Sequence, residues 1–241
     1  MATFRSLINR VLINLGQADD QVEAAATELT DAYHIKIAEW VNDVLEEFED
    51  AAQWRVLRQR ETAVIAADGI SVSLTNSNER SRVFRVSNSH AGELVPLVFD
   101  VTNGDSQERL IEMDFAQLQF MDQQNSNSVD STSGPRYFAL SQTATGQDLY
   151  VWPRSSQDVT IEIDMIIPQS RFDYTDEGDL NTHVLVPNLS VVYGATWWAM
   201  NDRGEEFGTN VDKADKRYKD MVAAAVAAEN AAQGFDELVP T

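Results

Sequence analysis

The stretch Val159-Thr-Ile-Glu-Ile-Asp-Met-Ile-Ile-Pro168 decides the fold, and it closes a longer run that begins at Gly134. Apolar residues occupy every second position of this stretch, and Thr160 and Glu162 point the other way together with Asp164. Such period-two alternation, rich in β-branched residues, is typical of a β-strand. The single polar face indicates a sheet that is covered on one side.

Two more strands are predicted just before this one, at Tyr137–Gln142 and Asp148–Trp152. Gly146 and the turn Ser155–Asp158 separate neighbouring strands at hairpin distances. We therefore predict a three-stranded antiparallel meander whose last strand is Val159–Ile167.

Length and cysteine content set broad limits on the 241-residue chain, which suits one large domain or two small ones. A chain of this size buries roughly 70% of its unfolded surface on folding, so it does not need disulfides or structural metals for stability. It has no cysteine, which excludes disulfides, a thiol nucleophile and thiolate metal ligands. Arg5 and Arg10 lie inside the first apolar pattern, and no apolar run approaches the ~18 residues of a membrane span. We expect a soluble, non-secreted protein with no membrane partner.

Charge is the strongest feature of the composition, since 39 acidic residues against 18 basic residues give a net charge of −21. Wrapping nucleic acid requires clustered lysine and arginine, so the balance argues against that function. The acidity suits either solubility in a salty environment or a surface that repels DNA.

Helices are predicted before residue 55. The first begins at the N-cap candidate Thr3 and stops at Gly16. Asp19–Thr30 is polar and suits either an extension of the following helix or a loop, and we assign it to a helix. The next helix has the clearest 3.6-residue period, and its predicted inter-helix core is Ile37, Trp40, Val41, Val44, Leu45 and Phe48. Its opposite face is acidic, and we interpret that face as solvated.

Beyond Trp54 the period changes from 3.6 to 2. Val56–Ala66 and Ile70–Leu74 are predicted to pair as a hairpin. A second pair is predicted from Val83–Val86 and Leu94–Val101. Further along, the sequence predicts a short helix at Met113–Met121 and a polar loop or disordered insertion at Gln123–Ser133.

The C-terminal part returns to helical spacing. Pro187 marks a helix start, and the predicted core face carries Leu189, Val192, Tyr193, Thr196, Trp197 and Met200. Asn210 caps a last helix whose segment Ala223–Ala232 is rich in alanine, with strong helix propensity but little bulk to bury. The tail after Gly234 carries apolar residues with no local way to bury them.

Together these elements predict an α+β fold. Each pair of terminal helices is too small to hold a core alone, so we expect the two pairs to pack together as a discontinuous helical domain of residues 1–54 and 184–234. An antiparallel β sandwich or barrel of residues 55–183 would be inserted between them. Residues 235–241 would form an extended tail.

No catalytic or metal motif is found. His34, His90 and His183 are far apart, and no nucleophile elbow, P-loop or dinucleotide fingerprint occurs. The acidic segment that begins at Asp173 imitates a calcium loop, but its third and twelfth positions are Thr175 and Val184, which do not supply the required ligands. We expect neither an enzyme nor a cofactor.

Docking residues are predicted at the C-terminal end. The basic cluster of the last helix suits an acidic neighbour, including another copy of the chain, although ordinary surface balance explains it equally well. The apolar residues of the tail suit a partner. The interface candidates are Lys213, Lys216, Arg217, Lys219, Phe235, Leu238 and Val239.

The order of features resembles the head-to-tail adaptor proteins of tailed bacteriophages, the family that includes tail tubular protein A of short-tailed phages. The resemblance extends across nearly the whole chain. It is carried by the helix Leu7–Gly16, by a long helix that ends near a tryptophan (Trp40 to Trp54) and is followed by strands, and by Gly134-Pro135-Arg136-Tyr137. It continues in the strand Leu149–Pro153, the alternating strand that ends at Pro168, and the helix start at Val186-Pro187. The Asn- and Ser-rich insertion and the strong acidity depart from the family pattern.

The resemblance implies a structural virion protein at the head–tail junction, assembled in the host cytoplasm. It would form a dodecameric ring of its own copies between the portal protein and a tail or nozzle protein. DNA would pass through the ring without specific binding, and twelve copies would carry about −250 charges. The alternative is a soluble carbohydrate- or peptide-binding β module with helical arms, in which Tyr137, Tyr150 and Trp152 would stack against a sugar.

Overall fold

The structure is a computed structural model that describes residues 2–87, 94–102, 108–124, 134–144, 146–203 and 210–236. The chain divides into two compact units, a helical one of Met1–Val56 with Gln169–Thr241 and a β-rich one of Leu57–Pro168. The predicted α+β class is confirmed. His90 and the predicted loop residues 125–133 lie outside the described residues.

The helical unit draws on both ends of the chain. Its helices are α1 (Phe4–Asn14), α2 (Ala32–Asp50), α4 (Glu177–Asn181), α5 (Asn188–Arg203) and α6 (Asn210–Asp236). Thr3 caps α1 by accepting a hydrogen bond from the Ser6 N–H, and Asp31 caps α2. Because α5 packs against α1, α2 and α6, the N- and C-terminal helices share one core, as predicted.

The predicted core face of α2 is largely confirmed. Its five aliphatic and phenylalanine positions are buried, namely Ile37, Val41, Val44, Leu45 and Phe48. Trp40 differs, because it is half-buried and the ammonium of Lys36 lies 5.2 Å from its ring centroid. A large ring at the edge of the helix face covers apolar surface while it keeps a cation in reach of its π system.

The helix predicted for Asp19–Thr30 is wrong, since that segment has turns and irregular backbone. Side chains of α1 satisfy its backbone groups instead. The Asn9 amide donates to Val22 O (3.1 Å) and accepts from Val22 N (2.8 Å). Arg5 donates to the carbonyls of Ala24 and Ala26. Backbone groups that are satisfied by a neighbouring helix do not need helical bonds of their own.

Gln169–His183 was predicted to end the β domain, but it belongs to the helical unit. Phe172 stacks on Phe4 with ring centroids 4.9 Å apart, and its backbone N–H and C=O both bond to the buried amide of Asn42. This was not predictable from the sequence, because the segment is polar and aperiodic, and the contacts of Phe172 with Phe4 and Asn42 depend on tertiary packing.

In its described residues, the β-rich unit holds two larger sheets and a two-stranded one. The strands are β1 (Arg58–Ile65), β2 (Ser71–Ser73), β3 (Arg82–Val83), β4 (Arg85–Ser87), β5 (Leu94–Pro96), β6 (Val98–Asp100), β7 (Glu108–Arg109), β8 (Ile111–Glu112), β9 (Tyr137–Gln142), β10 (Gln147–Trp152) and β11 (Val159–Ile166). One sheet has the order β1-β11-β6-β7 with β3 also on β11, and the other has the order β2-β10-β9-β8. Helix α3 (Phe115–Gln124), near the predicted Met113–Met121, packs on β9 and β10.

Two predicted strand pairings are wrong, whereas the pair β4–β5, which corresponds to the predicted Val83–Val86 and Leu94–Val101, is confirmed. The strands β9 and β10 pair as expected, but β11 pairs with β1, with Ile163 opposite Glu61, instead of completing a meander. Likewise, β2 pairs with β10 and not with β1. The two larger sheets enclose one core that includes Ile161, Phe138 and Leu149, so β10 and β11 lie in opposite sheets of a sandwich, as do β1 and β2. Within the described residues, neither sheet closes into a barrel.

The polar face of β11 is not uniformly exposed. The side chain of Asp164 is only 4% exposed, and it bonds to Arg60 Nε at 2.8 Å and to Arg58. Burial on its own would raise the pKa of Asp164, but the hydrogen bonds from Arg60 and Arg58 outweigh it and hold the pKa below its ordinary value. This ion pair ties β11 to β1.

Candidate interaction surface

An open groove of about 730 Å³ runs along one side of α6 in the helical unit. Its α6 wall is mostly apolar and consists of Tyr218, Val222, Ala223, Val226 and Ala227. The opposite wall combines Trp197 and Trp198 of α5 with Glu47 and Ala51 at the end of α2. Asp215, Lys219 and Asn230 supply polar groups along α6. We call this feature the α6 groove.

Helix α6 is unusual because it buries so little. Over the 27 residues from Asn210 to Asp236, Tyr218 is the one buried side chain among those that the structure describes. Val222 and Val226 are half-buried, and Ala223 and Ala227, which follow them in the sequence, are exposed. A surface helix normally covers a continuous apolar stripe against its own core. Here the stripe lies along the groove and stays open to solvent.

The core face predicted for α5 is only partly confirmed. Val192 and Thr196 are buried, whereas Leu189 is 48% exposed and Trp197 is half-buried in the groove wall. The other buried positions are small residues that the prediction did not include, among them Val191, Ala195 and Ala199. A helix packed between several neighbours buries small side chains where backbones approach closely, so bulky residues are displaced to its open flank.

The two tryptophans form an aromatic wall. The ring centroids of Trp197 and Trp198 lie 4.8 Å apart at 53°, and Trp198 is 37% exposed. Partly exposed tryptophan carries a large apolar area at a small cost in conformational entropy, which is why it is enriched in binding sites. Sequence spacing alone placed Trp197 in the core and gave no role to Trp198.

Tyr218 closes the floor of the groove against α2. Burial raises the pKa of its phenol above the ordinary value, and the nearby Glu47 carboxylate, which accepts its hydrogen bond, raises it further. The phenol therefore stays protonated throughout the physiological range and keeps donating to Glu47. This bond fixes one carboxylate at the rim of the groove.

The predicted basic cluster lies at the first turns of α6. Lys213 and Lys216 are exposed, and within the described residues neither of them forms a salt bridge. The guanidinium carbon of Arg217 lies 4.1 Å from the Tyr193 ring centroid, and Lys219 pairs with Asp215 at 2.8 Å. The cluster thus divides into two paired cations and two that point to solvent without a partner in this part of the chain.

The acidic face of α2 is held by one cation that the sequence analysis missed. Arg171 bonds to Glu39, to Asp43 at 2.8 Å and to Glu46 at 3.3 Å. The hydrogen bond to Glu39 raises the pKa of Arg171 above its ordinary value despite partial burial, so this cation is permanent. One arginine for three carboxylates leaves the face net negative.

The remaining interface candidates are only partly described. Phe235 lies in the last turn of α6, whose backbone continues to Asp236 and so extends past the predicted end at Gly234. Leu238 and Val239 lie outside the described residues. Their proposed contacts with a partner remain predictions.

The described residues offer little that resembles a metal or catalytic centre. They contain no group of three or more His, Cys, Asp or Glu side chains able to hold a metal ion. In the calcium-like segment, Asp173 accepts from the Thr175 N–H and Asp176 caps α4, so these carboxylates serve local turns. His34 Nε2 lies 2.9 Å from the Asp20 carbonyl.

The aromatic residues of the β unit contact one another. Tyr150 meets Phe115 of α3 edge-on, with ring centroids 4.8 Å apart, and Tyr137 lies 6.0 Å from Trp152. All three strand aromatics are half-buried. They do not present a flat open platform of the kind that stacks a sugar ring.

Comparison with known proteins adds no relative. No protein-family model matches the sequence, and no curated protein matches it. In the described part of the chain, no helix combines the length and the apolarity needed to cross a membrane. The α6 groove and the two charged faces are therefore the features on which a function can be argued.

Proposed function

We propose that this protein is a structural assembly protein, a head-to-tail adaptor of a tailed bacteriophage virion that docks between the portal protein and the tail and does no catalysis. The observation that carries the proposal is that the apolar stripe of α6 lines an open groove instead of packing against the core of its own chain. A helix with this exposure suits a protein that completes its packing only inside a larger assembly.

The charged faces of the helical unit support self-association into a ring. Lys213 and Lys216 leave a positive face at the start of α6, while α2 presents Asp43 and its neighbours as a negative face. Different surfaces of opposite sign on one protomer suit a head-to-tail contact, which closes a ring when the rotation fits. The dodecamer implied by the family resemblance is one such ring.

The net charge of −21 supports a passive role toward DNA. A ring of such chains would repel the phosphate backbone, so DNA would move through its channel without sticking. The tail or nozzle protein would contact the opposite side of the ring. None of the described features favours the alternative of a carbohydrate-binding module, because Tyr137, Tyr150 and Trp152 pack against other aromatic residues.

Mass photometry of the full chain, alone and mixed with the portal protein encoded in the same genome, tests this proposal. The adaptor function predicts either large rings of the chain or its stoichiometric addition to the portal ring. A chain that stays monomeric in both samples would overturn the function and would direct the search to glycan and peptide arrays.

A further inference from the structure

The α6 groove has the dimensions of a helix-binding site. Its α6 wall runs from Asp215 to Asn230, which is about 22 Å at the rise of an α-helix. Ala223 and Ala227, one turn apart on this wall, are exposed and small, so they permit a second helix to approach closely. Trp198 faces the same space from α5 and offers an apolar edge for bulkier side chains. Grooves of this kind receive the apolar face of an amphipathic helix.

The charged residues that line the groove favour a binding segment with positive charge. Glu47 and Asp215 line the groove, and the one lysine in the lining, Lys219, is already paired with Asp215 at 2.8 Å. An occupant with lysine or arginine beside its apolar face would complement this rim.

A second copy of the chain is a poor occupant. In the ring contact proposed above, Lys213 and Lys216 of one copy meet the α2 face that includes Asp43 of the next, and none of these three residues lines the groove. The positive face formed by Lys213 and Lys216 lies at the first turns of α6, outside the groove lining. A partner protein with a basic amphipathic segment meets both the apolar and the charged requirements.

We propose that the α6 groove binds an amphipathic helix of a partner protein, with its apolar face between α6 and the Trp197–Trp198 wall and with basic residues toward Glu47 and Asp215. This inference rests on the assembly role proposed above and names the chemistry of the partner. It also explains why α6 keeps an apolar stripe in an otherwise strongly acidic protein.

The test uses two designed 16-residue helical peptides, one with leucines on one face and lysines flanking them, the other with glutamates in place of the lysines. The chain has no cysteine, so Ala223→Cys carries a single environment-sensitive dye in the groove. Ala224→Cys is the matched control, because Ala224 is also exposed but does not line the groove. We expect the basic peptide to shift the dye at Ala223→Cys and to leave the dye at Ala224→Cys unchanged.

Affinity is then measured with unlabelled full-length variants. Ala223→Arg fills the groove with a bulky cation and should weaken the basic peptide by about tenfold or more, whereas Ala224→Arg adds the same charge outside the groove and should change the affinity by about twofold at most. The acidic peptide should bind about tenfold more weakly than the basic one. Circular dichroism confirms that both variants fold.

Several results would overturn the proposal. Equal weakening by Ala223→Arg and Ala224→Arg would mean diffuse attraction to an acidic surface. Tighter peptide binding after removal of residues 237–241 would identify the tail of the same chain as the occupant. A change in oligomeric mass caused by Ala223→Arg, without loss of peptide binding, would identify a second copy.

The same measurements separate the groove proposal from the adaptor function. If the chain binds the basic peptide but does not bind the portal, the adaptor function is refuted and the groove assignment stands. If Ala223→Arg binds the portal as well as the wild type does, the groove assignment is refuted and the adaptor function stands.

Discussion

Gly194 of α5 makes room for Tyr218 of α6, since a Cβ atom on this glycine would lie 2.9 Å from Tyr218 Cε2. The same atom would lie 2.5 Å from Val44 Cγ1 of α2. Distances this short are below van der Waals contact, so a side chain at position 194 would force Val44 and Tyr218, or the helices that carry them, to shift. This glycine therefore sets the spacing at which three helices meet beneath the α6 groove.

Replacing Gly194 by alanine should destabilise the helical unit. Alanine at an ordinary helix position stabilises by up to about 1 kcal/mol relative to glycine, but the forced displacement here should cost about 1–3 kcal/mol of unfolding free energy. Urea unfolding monitored by circular dichroism measures the change. Gly178→Ala is the control, because its Cβ would meet a movable carboxylate of Asp176 at 3.3 Å. Unchanged or increased stability of Gly194→Ala would refute the close-packing argument.

Arg171→Leu should weaken the helical unit more at low ionic strength than at high. The substitution leaves Glu39, Asp43 and Glu46 facing one another on α2 without their shared cation. Arg171 is 42% exposed, so we expect a modest loss of about 0.5–2 kcal/mol. Salt screens both the lost attraction and the remaining repulsion.

Thermal unfolding at low and at molar salt measures this effect. Lys219→Leu, which removes the single pair with Asp215, serves as the control and should cost about 0.5 kcal/mol at most. A loss for Arg171→Leu that does not change with salt would show that its packing matters and its charge does not.

Asp164→Asn should destabilise the β-rich unit at neutral pH. The difference in unfolding free energy between the variant and the wild type should become smaller at acidic pH. Because the folded pKa of Asp164 lies below its ordinary value of about 3.9, the carboxylate stabilises the fold above that pH and loses this contribution as the pH falls through the folded pKa. We expect a loss of about 1–3 kcal/mol at pH 7 from the weaker bonds to Arg58 and Arg60.

Denaturant unfolding of both proteins at pH 7 and at acidic pH separates this effect from the titration of the other carboxylates. The measured quantity is the difference between wild type and variant at each pH. A difference of the same size at both pH values would mean that the Asp164 carboxylate is not the titrating group involved.

Reversing Lys213 and Lys216 together to glutamate should weaken self-association or portal binding by about tenfold or more if the start of α6 meets an acidic neighbour. The exposed residues Arg109 and Arg136 of the β-rich unit provide the matched control, because their double reversal changes the net charge equally. Sedimentation velocity of both variants compares them. Equal weakening would show that total charge, not this face, controls assembly.

Local periodicity predicted the elements better than their partners. The alternation from Val159 to Met165 correctly indicated a strand, and the 3.6-residue spacing from Ile37 to Phe48 correctly indicated a helix and its buried face. Alternation states which residues share a face, but it does not state which strand lies beside them. The pairing of Ile163 with Glu61 joins residues far apart in sequence, and it was missed for that reason.

The groove was predictable only in part. Alanine-rich composition at Ala223–Ala232 correctly suggested a helix with little to bury. The groove walls supplied by α2 and α5 depend on how closely the helices pack around Gly194, and the periodicity of a sequence does not state which helices are neighbours. Arg171 was missed because a lone arginine in a polar segment has no pattern, and its role appears only when the segment lies along α2.

Negative-stain imaging of the portal ring, with and without a molar excess of this chain, tests the central claim most directly. The adaptor account predicts an added layer of density with the rotational symmetry of the portal, and its loss when Ala223→Arg replaces the wild-type chain. Portal particles that look the same in both samples, with the chain left as monomers in the background, would contradict the account.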